Sequence, residues 1–342
     1  ELRILTESDV FLSHQHLQLT PHHLIEIEAT AEIFQYRIVP PYSFEYPLGN
    51  EPIVLSLTRV IYEYSNMPKT IRSIWGSTLA NNKIVIKFGG GLITDKTQLK
   101  TIKAQNLDSV CEIIANVLGK GNEVIIVHGA GSFGHLEAKK WKLAAGYDEN
   151  IIKEQRIAVE KVRRDMLELN KIVLDNLKKF GINSISHPPS LWANGLGPEF
   201  NGDINRFKEN NSNTIHVTFG DVVDINDKRE FGILSGDDLM VRICNEIPEI
   251  SHCIFLLGDT EGLLTKPPNQ EGAELIPIWS KGQKIIGVHE KSQDVTGGIF
   301  LKAESASIIC QKIPNVWMLD GRKPERIEEL IQTGNTTGTK VI

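Results

Sequence analysis

The sequence predicts an α/β fold built on a largely parallel sheet, and two observations carry that reading. From Lys83 onward, short β-rich runs alternate with helical stretches, and most of the runs empty directly into glycine-rich turns. Several runs are also nearly continuously apolar, as strands buried on both faces are. The expected strands cover residues 83–88, 123–127, 183–186, 214–218, 253–257 and 315–319. Helices fill the gaps, the longest over about 151–180, and the segments 222–224 and 230–233 flank a polar turn that reads as a small hairpin.

Residues 1–80 read differently from the domain at 81–342. Pro21, Pro40, Pro41, Pro47, Pro52 and Pro68 interrupt any periodicity, while Phe34, Tyr36, Phe44 and Tyr46 argue against simple disorder. This part is expected to be a small appended domain or folded extension. His14, His16, His22 and His23 lie close together in it, but no cysteine joins them and the spacing fits no zinc module. They read as surface or packing histidines.

The 342 residues suffice for one large or two smaller domains with a sizeable core. Interspersed charges summing to -6 argue against nucleic acid as a partner, because a phosphate backbone calls for a broad basic surface. No apolar run approaches the roughly 18 residues of a membrane span, and the first residues lack the pattern of a signal peptide. A cytoplasmic protein is expected. Cys111, Cys244, Cys253 and Cys310 form no CxxC pair and read as small buried hydrophobes.

Two segments point to phosphate chemistry. In the first, a buried strand that carries Lys87 runs into Gly89, Gly90 and Gly91, with Lys96 shortly beyond. Glycine lets backbone N–H groups approach an anion closely, and lysine adds mobile positive charge. No GxxxxGK[ST] pattern is present, so this is not a Walker A loop. In the second, the strand ending at Val127 empties into His128-Gly-Ala-Gly-Ser-Phe-Gly-His135. Gly129, Gly131 and Gly134 formally satisfy GxGxxG, which makes a dinucleotide-binding enzyme the rival. That fingerprint wants an acidic residue ending the next strand about 20 residues on, and here the region opens a helical stretch.

Three further loops share this character. Gly220 and Asp221 follow an expected strand, Ser235-Gly-Asp-Asp238 has good helix-capping chemistry, and Gly297 and Gly298 precede Lys302 by about one helical turn. Each alone is an ordinary capped turn. Together they are more telling, because loops at the carboxyl ends of parallel strands converge on one crevice.

At this point the chain from about Lys83 to Ile342 resembles the isopentenyl phosphate kinases of the amino acid kinase family. The resemblance rests chiefly on residues 128–135, backed by Lys87 to Gly91, Ile93-Thr-Asp-Lys96, Gly220-Asp221, Ile233 to Asp237, Asp259 to Gly262, Asp294 to Gly298 with Lys302, and Gly338-Thr339. It implies an open αβα sandwich, ATP with Mg2+ as phosphoryl donor, a small phosphate acceptor and a homodimer. These implications come from the resemblance, not from periodicity.

Carried over by position, the resemblance makes Lys87, Gly89, Gly90 and Gly91 holders of the ATP phosphates. Lys96 would stabilise the phosphoryl group in transit, and Lys302 with Gly297 and Gly298 would grip the nucleotide from the other side. Ala130 and Gly131 lie between donor and acceptor, His135 binds the acceptor phosphate, Gly220 lies beside it, and the segment from Asp259 to Lys266 helps seat the nucleotide. The roles are chemically coherent. Phosphoryl transfer depends on positioning and charge neutralisation, and a phosphate monoester with a second pKa of about 6 needs no general base.

The chain departs from the family pattern in two places. The first loop reads Gly-Gly-Gly where Gly-Gly-Ser is usual, and Gly258-Asp-Thr-Glu-Gly262 replaces a more usual Thr-Asp-Val-Asp-Gly. Trp141, Leu143, Ile152, Met166 and Val173 could wall an acceptor's hydrocarbon tail or equally form helix core. Two alternatives stand beside the isopentenyl phosphate reading. One is a fosfomycin-type phosphonate kinase; the other is a catalytically silent nucleotide-binding regulatory domain.

Overall fold

The computed structural model describes residues 82–208, 214–268, 270–283 and 298–342, together with five short strands near the N-terminus. Those strands are β1 (Leu2–Ile4), β2 (Ile25–Ala29), β3 (Tyr36–Ile38), β4 (Phe44–Leu48) and β5 (Glu51–Leu55). β1, β2 and β3 form one antiparallel sheet, and β4 with β5 another. The chain divides into two compact units, Glu1–Thr78 and Leu79–Ile342. His14, His16, His22, His23 and Gly297 lie outside the described residues.

The second unit is organised by β6 (Lys83–Phe88), β7 (Glu123–His128), β8 (Asn183–Ser186), β11 (Thr214–Phe219), β14 (Ile250–Leu257) and β16 (Asn315–Asp320). All six run parallel, in the order β16-β14-β6-β7-β11-β8. β17 (Thr339–Val341) closes the far side antiparallel to β16 and is followed by β15 (Ile278–Trp279). The expected strands are all present, several of them a residue or more longer than their apolar runs. The expected hairpin is β12 (Asp221–Asp224) with β13 (Phe231–Leu234), part of a four-stranded sheet with β9 (Ala193–Asn194) and β10 (Asn201–Gly202).

Strand alternation explains why these segments are apolar throughout. Ile84, Ile86 and Phe88 of β6 enter one core and Val85 the other; Val124 and Ile126 of β7 likewise oppose Ile125 and Val127. The first core is covered by α2 (Ala104–Gly119), α3 (Gly131–Lys140), α4 (Ile152–Lys179) and α7 (Glu325–Thr333), and the second by α5 (Gly236–Glu246) and α6 (Gly298–Ile309). The result is an αβα sandwich. α4 contributes Val159, Val162, Met166, Leu169, Val173 and Leu177, the spacing that puts one apolar stripe along a helix. Among the described residues no helix is long and apolar enough to cross a membrane.

Register brings the strand ends into phase. Phe88 pairs with His128 and Leu256, and His128 pairs with Phe219. The loops that follow β6, β7, β11 and β14 therefore leave the sheet at one edge, side by side.

Candidate active site

Three of those loops touch through their backbones. A Cβ placed on Gly90 would lie 2.5 Å from the Gly131 nitrogen, one on Gly129 2.7 Å from the Gly90 nitrogen, and one on Gly258 2.5 Å from the Gly91 carbonyl carbon. Real Cβ atoms do not approach so closely, so glycine is required for the contact itself. Gly131 adds a second reason, since its φ of +49° is left-handed. The Thr94 hydroxyl fastens this junction, donating to the Gly90 carbonyl (2.7 Å) and accepting from the Ser132 N–H (2.9 Å). α1 (Gly90–Ile93) begins directly within the first loop.

The loops floor a cavity of about 450 Å³. It is lined by Lys87, Gly89, Gly90, Gly91, Lys96, Ala130, Gly131, His135, Gly220, Asp259, Gly298 and Lys302, all of them expected at the site from the sequence. Lys96 lies over the first loop, its Cε 3.0 Å from where a Gly91 Cβ would be. Lys302 comes from the first turns of α6 and donates to the Gly298 carbonyl at 3.1 Å. His135 is half-buried on α3, and Asp259 is exposed at the rim.

Lys87 is the most deeply placed cation, 4% exposed, and it forms an ion pair with Asp237. Burial is the largest influence on it and lowers its pKa to about 8; Asp237 opposes that shift and the nearby Lys302 adds to it. Asp237 is set by α5, whose Ser235 N-cap accepts from the Asp238 N–H at 3.1 Å in a capping box. The Ser-Gly-Asp segment is visible in the sequence as a helix entry, but a role for Asp237 is not. The missing signal was spatial: nothing in either segment indicates that β6 and α5 bring these two side chains together.

Two more lining residues went unassigned. Lys103 reaches back to donate to the Gly91 carbonyl at 2.8 Å, fixing the first loop from behind. Asp221 is 3% exposed and accepts from the Val222 N–H (2.8 Å) and the Ser190 N–H (3.2 Å); burial raises its pKa to about 6 in spite of these bonds.

Part of the cavity lining is apolar, and here one expectation is narrowed. Of Trp141, Leu143, Ile152, Met166 and Val173, only Met166 lines the cavity, accompanied by Val162, Ala138, Val222 and Ile233. Leu143 and Val173 are fully buried in the core, and Trp141 and Ile152 pack against it. His128 begins the second loop but does not line the cavity. It is fully buried, stacks on Phe219 at 4.9 Å and meets the Asn170 carbonyl oxygen at 3.2 Å, and burial lowers its pKa to about 4.

Known proteins resemble this chain in sequence and fold. An isopentenyl phosphate kinase of Thermoplasma acidophilum is 30% identical over 251 residues, covering 72% of this chain and 95% of the relative. One of Methanocaldococcus jannaschii is 29% identical over 265 residues, covering 75% and 97%. A crystal structure of the T. acidophilum enzyme as a product complex superposes with a TM-score of 0.62 at 27% identity, over 76% of this chain and 100% of the other. The amino acid kinase family profile matches residues 82–318, which span most of the sheet and the loops just described. The chain belongs to the amino acid kinase family.

Proposed function

We propose that the protein transfers the γ-phosphoryl group of ATP to isopentenyl phosphate, giving isopentenyl diphosphate and ADP. The observation that carries this reading is the cavity: glycine loops from three parallel strands meet backbone to backbone and line it together with Lys87, Lys96, Lys302, His135 and the apolar Val162 and Met166. The relatives named isopentenyl phosphate kinase, aligned over nearly their full lengths, support the same acceptor.

In this reading Lys87, Gly89, Gly90 and Gly91 hold the ATP phosphates, joined by Lys302, Gly298 and Gly297, with Asp259 at the nucleotide rim. An oxygen of the acceptor phosphate attacks the γ-phosphorus in line as its bond to the bridging oxygen of ADP breaks. The acceptor is already ionised, so no side chain need remove a proton. Lys96 neutralises charge on the equatorial oxygens in transit, and the backbone donors of Ala130 and Gly131 lie between the two substrates. His135 donates a hydrogen bond to the acceptor phosphate beside Gly220, and Met166 and Val162 contact the hydrocarbon tail.

Mg2+ would enter on the ATP phosphates and offset their charge. Such an ion keeps several waters and needs few protein ligands. That suits a cavity in which, among the described residues, no three His, Cys, Asp or Glu side chains converge on a metal position. A cytoplasmic homodimer is part of the same proposal.

A coupled ADP-release assay across isopentenyl phosphate, dimethylallyl phosphate, fosfomycin, glutamate and carbamate tests the reading. Turnover should be best on isopentenyl phosphate, His135→Ala should raise its KM while sparing that of ATP, and Lys96→Ala should chiefly lower kcat. Bound ATP without turnover on any acceptor would overturn it in favour of a regulatory domain.

A further inference from the structure

Lys96 sits on a short excursion between α1 and α2 whose base is closed by its own backbone. The Asp95 N–H donates to the Thr101 carbonyl at 2.8 Å, and Thr94 and Ile102 form an isolated bridge. Beside that base a side chain adds a further hold. Lys100 adopts a left-handed φ of 51°, unusual for a residue with a side chain, and its ammonium reaches across to α4, contacting Asp165 and Glu168 at 2.6 Å each.

Asp165 is the centre of this contact. It is 6% exposed, and its second oxygen accepts from Lys161 at 2.8 Å. Lys161 in turn lies 3.4 Å from Glu137 of α3, two residues beyond His135. Met166, the neighbour of Asp165 in the chain, lines the acceptor end of the cavity. One buried carboxylate therefore joins the loop of Lys96, the helix of His135 and the helix that walls the acceptor. Exposed ion pairs contribute little, but a carboxylate out of water between two ammonium groups is held by both.

We infer that Asp165, acting through Lys100, is a positioning residue for phosphoryl transfer, holding Lys96 in register with the acceptor. The inference rests on the kinase reading above. It gives the ion-pair cluster a role in the reaction rather than in folding alone, because its partners come from the three pieces that must be aligned when the γ-phosphoryl group moves.

Lys100→Met, Lys100→Arg and Asp165→Asn test this in the full-length protein. Lys100→Met and Asp165→Asn should each lower kcat about tenfold with the KM for ATP changed less than about twofold, and the double variant should be little worse than either single one. Lys100→Arg should recover most of the loss, since it restores the charge. Equal kcat in wild type and Lys100→Met, or a Lys100→Arg no better than Lys100→Met, would overturn the proposal.

Hydrogen exchange of the peptide spanning residues 95–101, in protein without substrates, reads the same contact independently of turnover. Exchange there should be at least about tenfold faster in Lys100→Met than in wild type, with the β6 and β7 peptides unchanged. Unchanged exchange would sink the positioning role even if the acceptor had been misidentified. Faster exchange in Lys100→Met, combined with a wild-type protein that turns over no acceptor, would place the error in the kinase reading instead.

Discussion

Lys87 and Asp237 are paired at the bottom of the cavity, with side chains only 6% and 7% exposed. Neither charge is comfortable there without the other, because a buried ion is stabilised chiefly by its partner. Asp237→Asn keeps the shape and removes the countercharge. It should destabilise the fold by about 3–5 kcal/mol, the usual result of stranding one member of a buried pair. Thermal unfolding measures that loss, and added ATP should recover part of it by supplying anionic phosphates to Lys87.

The same pair gives the activity a pH signature. Lys87 in the free protein loses its proton at about pH 8, burial being the principal cause. A bound polyphosphate favours the protonated lysine and moves that value upward. The alkaline limb of kcat/KM for ATP should therefore fall with an apparent pKa near 8, and the limb of kcat should lie at higher pH. Coincident limbs in the two profiles would mean that Lys87 does not meet the nucleotide.

Much of the fold was legible because its strands are buried on both faces and end in glycine. The run that became β6 announces its boundaries through apolar residues followed by Gly89, and β7 does the same before Gly129. The pairing of Lys87 with Asp237 was not legible, nor was that of Lys100 with Asp165, since both join segments distant in the chain. Helical periodicity also could not separate wall from core on α4. Met166 and Val173 lie on one stripe, and only the position of the sheet edge decides which of them reaches the cavity.

That division yields a paired test. Met166 and Leu143 are both fully buried, but only Met166 borders the cavity. Truncating either to alanine should cost about 2–5 kcal/mol of stability. Met166→Ala should also raise the KM for isopentenyl phosphate, whereas Leu143→Ala should leave it within about twofold of wild type. Equal KM values for the two variants would remove Met166 from the acceptor wall.

The glycines of the loop junction differ sharply from one at a helix end. Gly90 has the Gly131 backbone 2.5 Å from where a Cβ would sit, and that neighbour is main chain that cannot swing aside. Gly90→Ala must force apart the loops that follow β6 and β7, so it should abolish measurable turnover and lower Tm. Gly119 is the last residue of α2 and would have no atom within 4 Å of an added Cβ. Gly119→Ala should stabilise by about 0.4–1 kcal/mol, because alanine has less backbone freedom to lose on folding, and should leave kcat unchanged. Measuring both variants by thermal unfolding and ADP release separates steric need at the junction from a general intolerance of the chain to side chains at glycine positions. Near-wild-type turnover in Gly90→Ala would show that the loops need not touch for catalysis.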